Sequence, residues 1–202
     1  IAARDTMVDC SLCPEMVVIG GGASRMGAIA GSSAREHEQP QVDIRIAQPF
    51  ALGKHEVTNQ QWRACVDEGP CRDLDGVKND RLALHPVAGV TWDDAKVYVA
   101  WLSRVTKRAY RLPTEAEWEH AARSEPDHVY PHGGSAAELC KYANGADRSL
   151  GPVLYTGSCD DGFGRKTSPA GSFLPNRRGL FDMSGNVWEW VEDCWHASHQ
   201  GA

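Results

Sequence analysis

The chain has 202 residues, a net charge of −6 and no run of basic residues, so nucleic acid and anionic membranes are poor partners for it. That length suits one domain with a substantial core and is short for two. No segment reaches the roughly 20 consecutive apolar residues of a membrane span, and seven tryptophans with twenty glycines point to a loop-rich fold on aromatic anchors rather than a helical bundle. The first residue is Ile1 rather than methionine, which leaves open a removed signal peptide, tag or upstream domain.

Met16–Ile19 is a short apolar run that predicts a strand, and Gly20, Gly21 and Gly22 after it predict a turn. Gly22 and Gly27 have the gap of a phosphate loop, but Ala28 stands where the phosphate-binding lysine belongs. Ser32–Gln41 is polar and reads as surface loop. Val42, Ile44 and Ile46 alternate with Asp43 and Arg45, the period of a half-buried strand, and Phe50–Val57 predicts another beyond Pro49. Three helix starts of one design follow: Thr58 with Gln61, Thr91 with Asp94, and Thr114 with Glu117, each a capping box. In the second helix Ala95, Tyr98, Leu102 and Val105 form one apolar face, with an end expected near Lys107 or Arg108. The third, Glu115–Arg123, should turn Trp118, Ala121 and Ala122 inward and Glu115, Glu119 and Arg123 outward. From Ser124 to Leu180 glycines and prolines interrupt every pattern, so mostly loop with short strands is expected there. A long irregular stretch in a compact domain usually serves a ligand, a metal or a disulfide.

Seven cysteines are many for a reducing compartment and suggest an oxidising one, whether secreted or periplasmic. Cys65 and Cys71 flank a DEGP turn, and Cys140 and Cys159 bracket a polar loop; both pairs are disulfide candidates. Cys10 and Cys13 are read as a structural disulfide against half a zinc site or a redox pair. No second CxxC or HxxxH helix accompanies them, and they do not sit between a strand and a helix. Cys194 is then left over, for a partner beyond this chain. His128 and His132 are separated by Pro131, which prevents a helix from aligning them, and His196 and His199 lie near the last residue; all four read as solvated loop histidines.

Gly179–Glu192, GLFDMSGNVWEWVE, carries the densest chemistry: Asp182, Asn186 and Glu189 around Gly185, with Trp188 and Trp190. A hard cation such as calcium takes six to eight oxygens from carboxylates, amides and carbonyls, and a glycine turn with two acids can supply several. The competing reading is a tight turn followed by a core-packing aromatic strand.

This stretch, together with RLPTEAEWEHAAR at Arg111–Arg123, resembles the formylglycine-generating enzyme family, also called sulfatase-modifying factors. CPEMVVIGGGASRMG, KHEVTNQQW and HPVAGVTWDDAKVYVAWL are similar to the family's other segments in the same order, so the resemblance runs from about Cys13 to Trp195. It implies an α+β, C-type-lectin-like fold, poor in regular structure, with three short helices and small antiparallel sheets. Residues 1–202 would be a single domain of this type that lacks its C-terminal part.

The resemblance also implies two structural calcium ions. One would be held by the side chains of Asn144 and Asp161 and the carbonyls of Gly145 and Phe163, and the other by Asp182 and Glu189 with the carbonyls of Gly185 and Val187. The competing reading of the first set is a pair of Asx-turns without an ion. Active members use two cysteines, with copper and oxygen, to oxidise a cysteine of a protein substrate to formylglycine. Those cysteines follow the equivalent of GNVWEW, after an RGGSW-like strand that residues 1–202 do not contain. No residue here is therefore assigned a catalytic role, and copper is expected only with a further cysteine pair. Without that pair the expectation is an inactive chain, or a non-catalytic binding module for a protein or other ligand.

Overall fold

The structure, a computed structural model, describes residues 5–29, 35–123, 130–133, 135–150 and 159–199. It is an α+β, loop-rich fold. Strands β1 (Thr6–Met7), β2 (Met16–Ile19) and β5 (Phe50–Gly53) form one antiparallel sheet in the order β1-β2-β5. In its register Val17 pairs with both Thr6 and Leu52. Strands β3 (Gly22–Met26) and β4 (Val42–Ile46) form a separate antiparallel pair, with Ser24 opposite Ile44. Alternation in β4 is as the sequence predicts, Val42, Ile44 and Ile46 half-buried and Asp43 and Arg45 exposed.

Helices α1 (Asn59–Asp67), α2 (Trp92–Thr106) and α3 (Glu115–Ala122) all begin with the expected capping boxes. In each, the threonine hydroxyl accepts a backbone N–H three residues on, and that residue's side chain returns to the cap N–H. Helix α2 ends at Lys107, which takes a left-handed conformation (φ 59°).

Two apolar clusters hold these elements. One joins α1 to α2, with Trp62 stacked on Tyr98 at 5.2 Å between ring centroids and Tyr98 against Trp101 at 5.5 Å. The Cys10–Cys13 and Cys65–Cys71 disulfides pack into it, and Cys140–Cys159 is the third disulfide; Cys194 is free and exposed. The other cluster sets Val17 and Ile19 of β2 against Ala121 and Ala122 of α3, with Leu180 and Met183.

Several local expectations are corrected. The glycine run does not end in an open turn: Gly22 starts β3, because the small residues at 22–24 let it lie flat against β4. Phe50–Val57 is a strand only to Gly53, since from Lys54 the chain turns to reach the cap at Thr58. Glu119 and Arg123 face inward, paired with each other and engaging the N–H and C=O of Gly27. Among the described residues 130–180 holds no strand and is ordered by short 3-10 turns, Ala136–Lys141 and Arg148–Leu150.

Asn176, buried, closes α3. Its Nδ2 donates to the C=O groups of Ala121 (3.0 Å) and Ala122 (3.1 Å), which the helix end leaves unpaired, while Oδ1 accepts from the N–H groups of Arg178 and Leu180. Replacing Asn176 with Ala strands all four groups in the core, and we expect a loss of about 2–3 kcal/mol. A urea midpoint that falls at unchanged slope would register it; an unmoved midpoint would contradict this account.

Candidate functional site

The segment after Leu180 owes its shape to two left-handed residues, Asp182 (φ 57°) and Asn186 (φ 65°). Between them Gly185 donates its N–H to the Asp182 carbonyl at 3.3 Å. The Asn144 carbonyl oxygen comes so close that a Cβ on Gly185 would sit 2.1 Å from it, so only glycine lets the two loops meet. Asn186 then joins four segments. Its N–H donates to the Asn144 carbonyl (2.7 Å), Nδ2 to Glu56 Oε1 (3.0 Å) and the Ser168 carbonyl (3.3 Å), and Oδ1 accepts from Ser168 N–H (2.9 Å) and Asn144 Nδ2 (3.2 Å).

From Val187 onward the chain straps the starts of α2 and α3. Trp190 Nε1 donates to the Val90 carbonyl and Trp92 Nε1 to the Val191 carbonyl, both at 2.9 Å. Lys96 pairs with Glu192 at 2.6 Å. Asp193 Oδ2 accepts the Glu115 N–H at 2.6 Å, a negative group at the positive end of α3. The competing reading of a core-packing aromatic strand is not what this described stretch forms: Trp188 is 98% exposed and Trp190 49%, with the Trp190 indole turned to the Val90 carbonyl.

Behind the strap lies a groove of about 570 Å³. Met16, Phe50, Leu52, Tyr98, Leu102 and Phe181 give it an apolar lining, joined by Trp188, Trp190, Glu56 and Glu189. Glu56 and Asp182 are 7% and 2% exposed, and each keeps one buried carboxylate oxygen, Oε2 and Oδ1, without a hydrogen-bond partner. Among the described residues no ion pair neutralises Glu56, Asp182 or Glu189. Burial, and then the charges of Asp182 and Glu189, pushes the Glu56 carboxyl up to about 9. Asp182 is raised by burial against the N–H of Gly171, which holds its Oδ2 at 2.6 Å. Glu189 is raised by desolvation first and by the Asp182 charge, with Trp118 Nε1 opposing at 3.2 Å. The residue is exposed to the groove, so water offsets part of that rise.

The two implied calcium sets therefore differ. For Asp182, Gly185, Val187 and Glu189 the donors are hard oxygens, and Asp182 keeps a buried oxygen that no protein group engages; this set fits calcium. In the set Asn144, Gly145, Asp161 and Phe163, both Asp161 carboxylate oxygens and the Phe163 carbonyl are already engaged by protein N–H groups. Asp161 accepts from the N–H groups of Gly145 and Phe163, both at 2.9 Å, and Asn144 Nδ2 donates to the Lys166 carbonyl. Neither residue leaves a buried oxygen unpartnered. A buried aspartate that sequence reasoning missed, Asp147, completes this loop by accepting from Ser149 and from the Asp161 N–H at 2.7 Å. Among the described residues no group of three acids, histidines or cysteines already surrounds a common point.

Glu56 was missed as well. Its sequence signal is position alone, two residues before the capping box at Thr58. His132 stacks on Tyr142 at 4.3 Å, and His128 lies outside the described residues. His199 corrects the expectation of a solvated side chain: it is 7% exposed, pressed against Gly27, because its N–H is drawn to the Gln39 carbonyl.

Copper does not fit residues 1–202. Six of the seven cysteines are in disulfides and Cys194 stands alone, so no thiolate pair is present to grip Cu(I).

Comparison with known proteins agrees with the geometry. The formylglycine-generating enzyme of Thermomonospora curvata is 38% identical over 142 residues, covering 70% of this chain and 42% of the enzyme. The mouse protein named inactive C-alpha-formylglycine-generating enzyme 2 is 30% identical over 93% of this chain and 71% of its own length. The solved structure of PvdO from Pseudomonas aeruginosa superposes over 100% of this chain and 79% of its own, with a TM-score of 0.83 at 33% identity. The chain thus spans about two fifths of the Thermomonospora enzyme's length. Residues 3–201 match the family described as the sulfatase-modifying factor enzyme 1-like domain, and the chain belongs to that family.

Proposed function

We propose that residues 1–202 are the calcium-braced scaffold of a formylglycine-generating-type domain, with a protein or peptide ligand in the groove. Oxidation of a ligand cysteine would require a thiolate pair from outside these residues, with copper bound there. The observation that carries this reading is the union, in one wall, of the GNVWEW turn, its uncompensated acids and an open groove. These residues orient rather than react: Asn186 fixes the turn, Trp92 and Trp190 fix the strap, and Trp188 offers a free aromatic face to a ligand.

Incubation of residues 1–202 with a cysteine-bearing sulfatase peptide, Cu(I) and oxygen should leave the peptide's mass unchanged, and an aldehyde product would overturn the proposal.

A second reading, a non-catalytic C-type-lectin-like binding module, is favoured by two observations. All the cysteines but Cys194 are locked in disulfides, and a relative named as inactive matches most of the chain. A longer native chain with no further cysteine pair that still quenches Trp188 fluorescence with a ligand would select it.

A further inference from the structure

We propose that the open edge of β4 is a self-complementary surface on which a second copy of this chain docks, strand against antiparallel strand, about a two-fold axis at Ile44. The inference is independent of the groove and of the calcium reading above.

Strand β4 has β3 on one side only, because the two form a sheet of their own. On its other side no backbone N–H or C=O of residues 42–46 finds a hydrogen-bond partner among the described residues. Such an edge is a template for another strand unless it is blunted. Two common devices are missing from VDIRI: it holds no proline, and its register against β3 runs from Ile46–Gly22 to Val42–Met26 without a bulge. Val42, Ile44 and Ile46 are only half-buried, so a further strand would take more apolar surface out of water.

The charges select both the partner and the register. Asp43 and Arg45 are exposed and, two residues apart, share one face of the strand. Asp43 lies 3.5 Å from Arg25 across the β3–β4 pair. Arg45 lies opposite Ala23 instead, and no carboxylate pairs with it among the described residues. A lone charge on an edge repels a copy of itself, but these two are opposite in sign. With Ile44 opposite its own copy, Asp43 faces the partner's Arg45 and Arg45 faces the partner's Asp43. The neighbouring two-fold registers, centred on residue 43 or residue 45, would set aspartate on aspartate or arginine on arginine. Opposite charges directly across a ladder attract and like charges repel, so the register centred on Ile44 is the favoured one of the three. It also continues the Arg25–Asp43 pair into a row of alternating charge. Strand β3, with Ala23 and Arg25 at the equivalent positions, offers no such complement. Five residues a side is a small interface, so the dimer should be reversible, with a micromolar to millimolar Kd.

Sedimentation equilibrium over a concentration series tests this, with Cys194→Ser in every chain so that no intermolecular disulfide contributes. We expect a monomer–dimer equilibrium that Arg45→Asp weakens about tenfold or more, because the two-fold axis repeats each altered contact. Within its own sheet that side chain meets only Ala23, so Arg45→Asp should melt with the parent. Asp43→Arg should weaken the dimer likewise. An equimolar mixture of the two variants should dimerise again, since an all-acidic edge then faces an all-basic one. A parent that stays monomeric at the highest concentration would overturn the proposal and leave the edge to a strand of another protein. A dimer that Arg45→Asp leaves unchanged, or a mixture that stays monomeric, would overturn it as well. Should Asp43→Arg fail to fold, because Arg25 lies beside it, Ile44→Cys takes its place. Opposed residues of antiparallel strands have Cα atoms about 4.5–5.5 Å apart, so mild oxidation should link two copies through that position. No cross-link would overturn the proposal.

Discussion

Gly185→Ala should be the most damaging single methyl group that can be added to this fold. The new Cβ would lie 2.1 Å from the Asn144 carbonyl oxygen and 3.0 Å from its carbon, and both are backbone atoms with no rotamer to yield. The loops would have to part. Parting breaks the 2.7 Å bond from Asn186 N–H to that carbonyl and the Asn144–Asn186 side-chain bond, and it loosens the Asp161 carboxylate that holds Gly145. Overpacking alone costs about 1–3 kcal/mol, and with buried hydrogen bonds lost the total should reach ~3 kcal/mol or more. For a domain of this size that is a fall in Tm of roughly 6–12 °C. Gly20→Ala is the control, since nothing lies within 4 Å of its added Cβ and its φ is not positive. Melting of Gly185→Ala at the temperature of Gly20→Ala would mean that the loops are not locked together at this point.

That glycine shows where sequence reading stops. Its place in a turn is legible in SGN, but the approach of residue 144 from forty residues away is not, because no local pattern encodes which loop will press against which. The helices were legible for the opposite reason. A capping box is a local exchange of hydrogen bonds within four residues, so Thr58, Thr91 and Thr114 announce their helices without tertiary information. The disulfides were legible too, because each pair lies close along the chain. Trp188 and Glu56 misled or escaped for one shared physical reason. Composition says that an aromatic residue packs and an acid is solvated, whereas the strap holds Trp188 98% exposed and the turn buries Glu56 to 7%. Local preference was overridden at these two positions by the tertiary packing of the turn and the strap.

Calcium removal should separate the two implied ion sites. A ligand that binds only the folded chain stabilises it by RT ln(1 + [L]/Kd), which is about 2.7 kcal/mol at a hundredfold excess over Kd and corresponds to roughly 5–10 °C in Tm. Chelation should therefore lower Tm by that amount. The loss should come mainly from the turn at Asp182, where buried oxygens of Glu56 and Asp182 have no other partner. At Asp161 both oxygens are already held by the N–H groups of Gly145 and Phe163, so that loop has protein bonds to fall back on. Asp182→Asn, which keeps an oxygen donor but removes a charge, should consequently shrink the calcium-dependent shift while sparing the protein in chelator, since the amide relieves the crowding of acids. Asp161→Asn should lower Tm in chelator and in calcium alike, because its amide nitrogen cannot accept from one of those two N–H groups. A shift undiminished in Asp182→Asn and absent in Asp161→Asn would assign the ion to the other loop, and the orphaned carboxylates would then have to be satisfied by a shared proton.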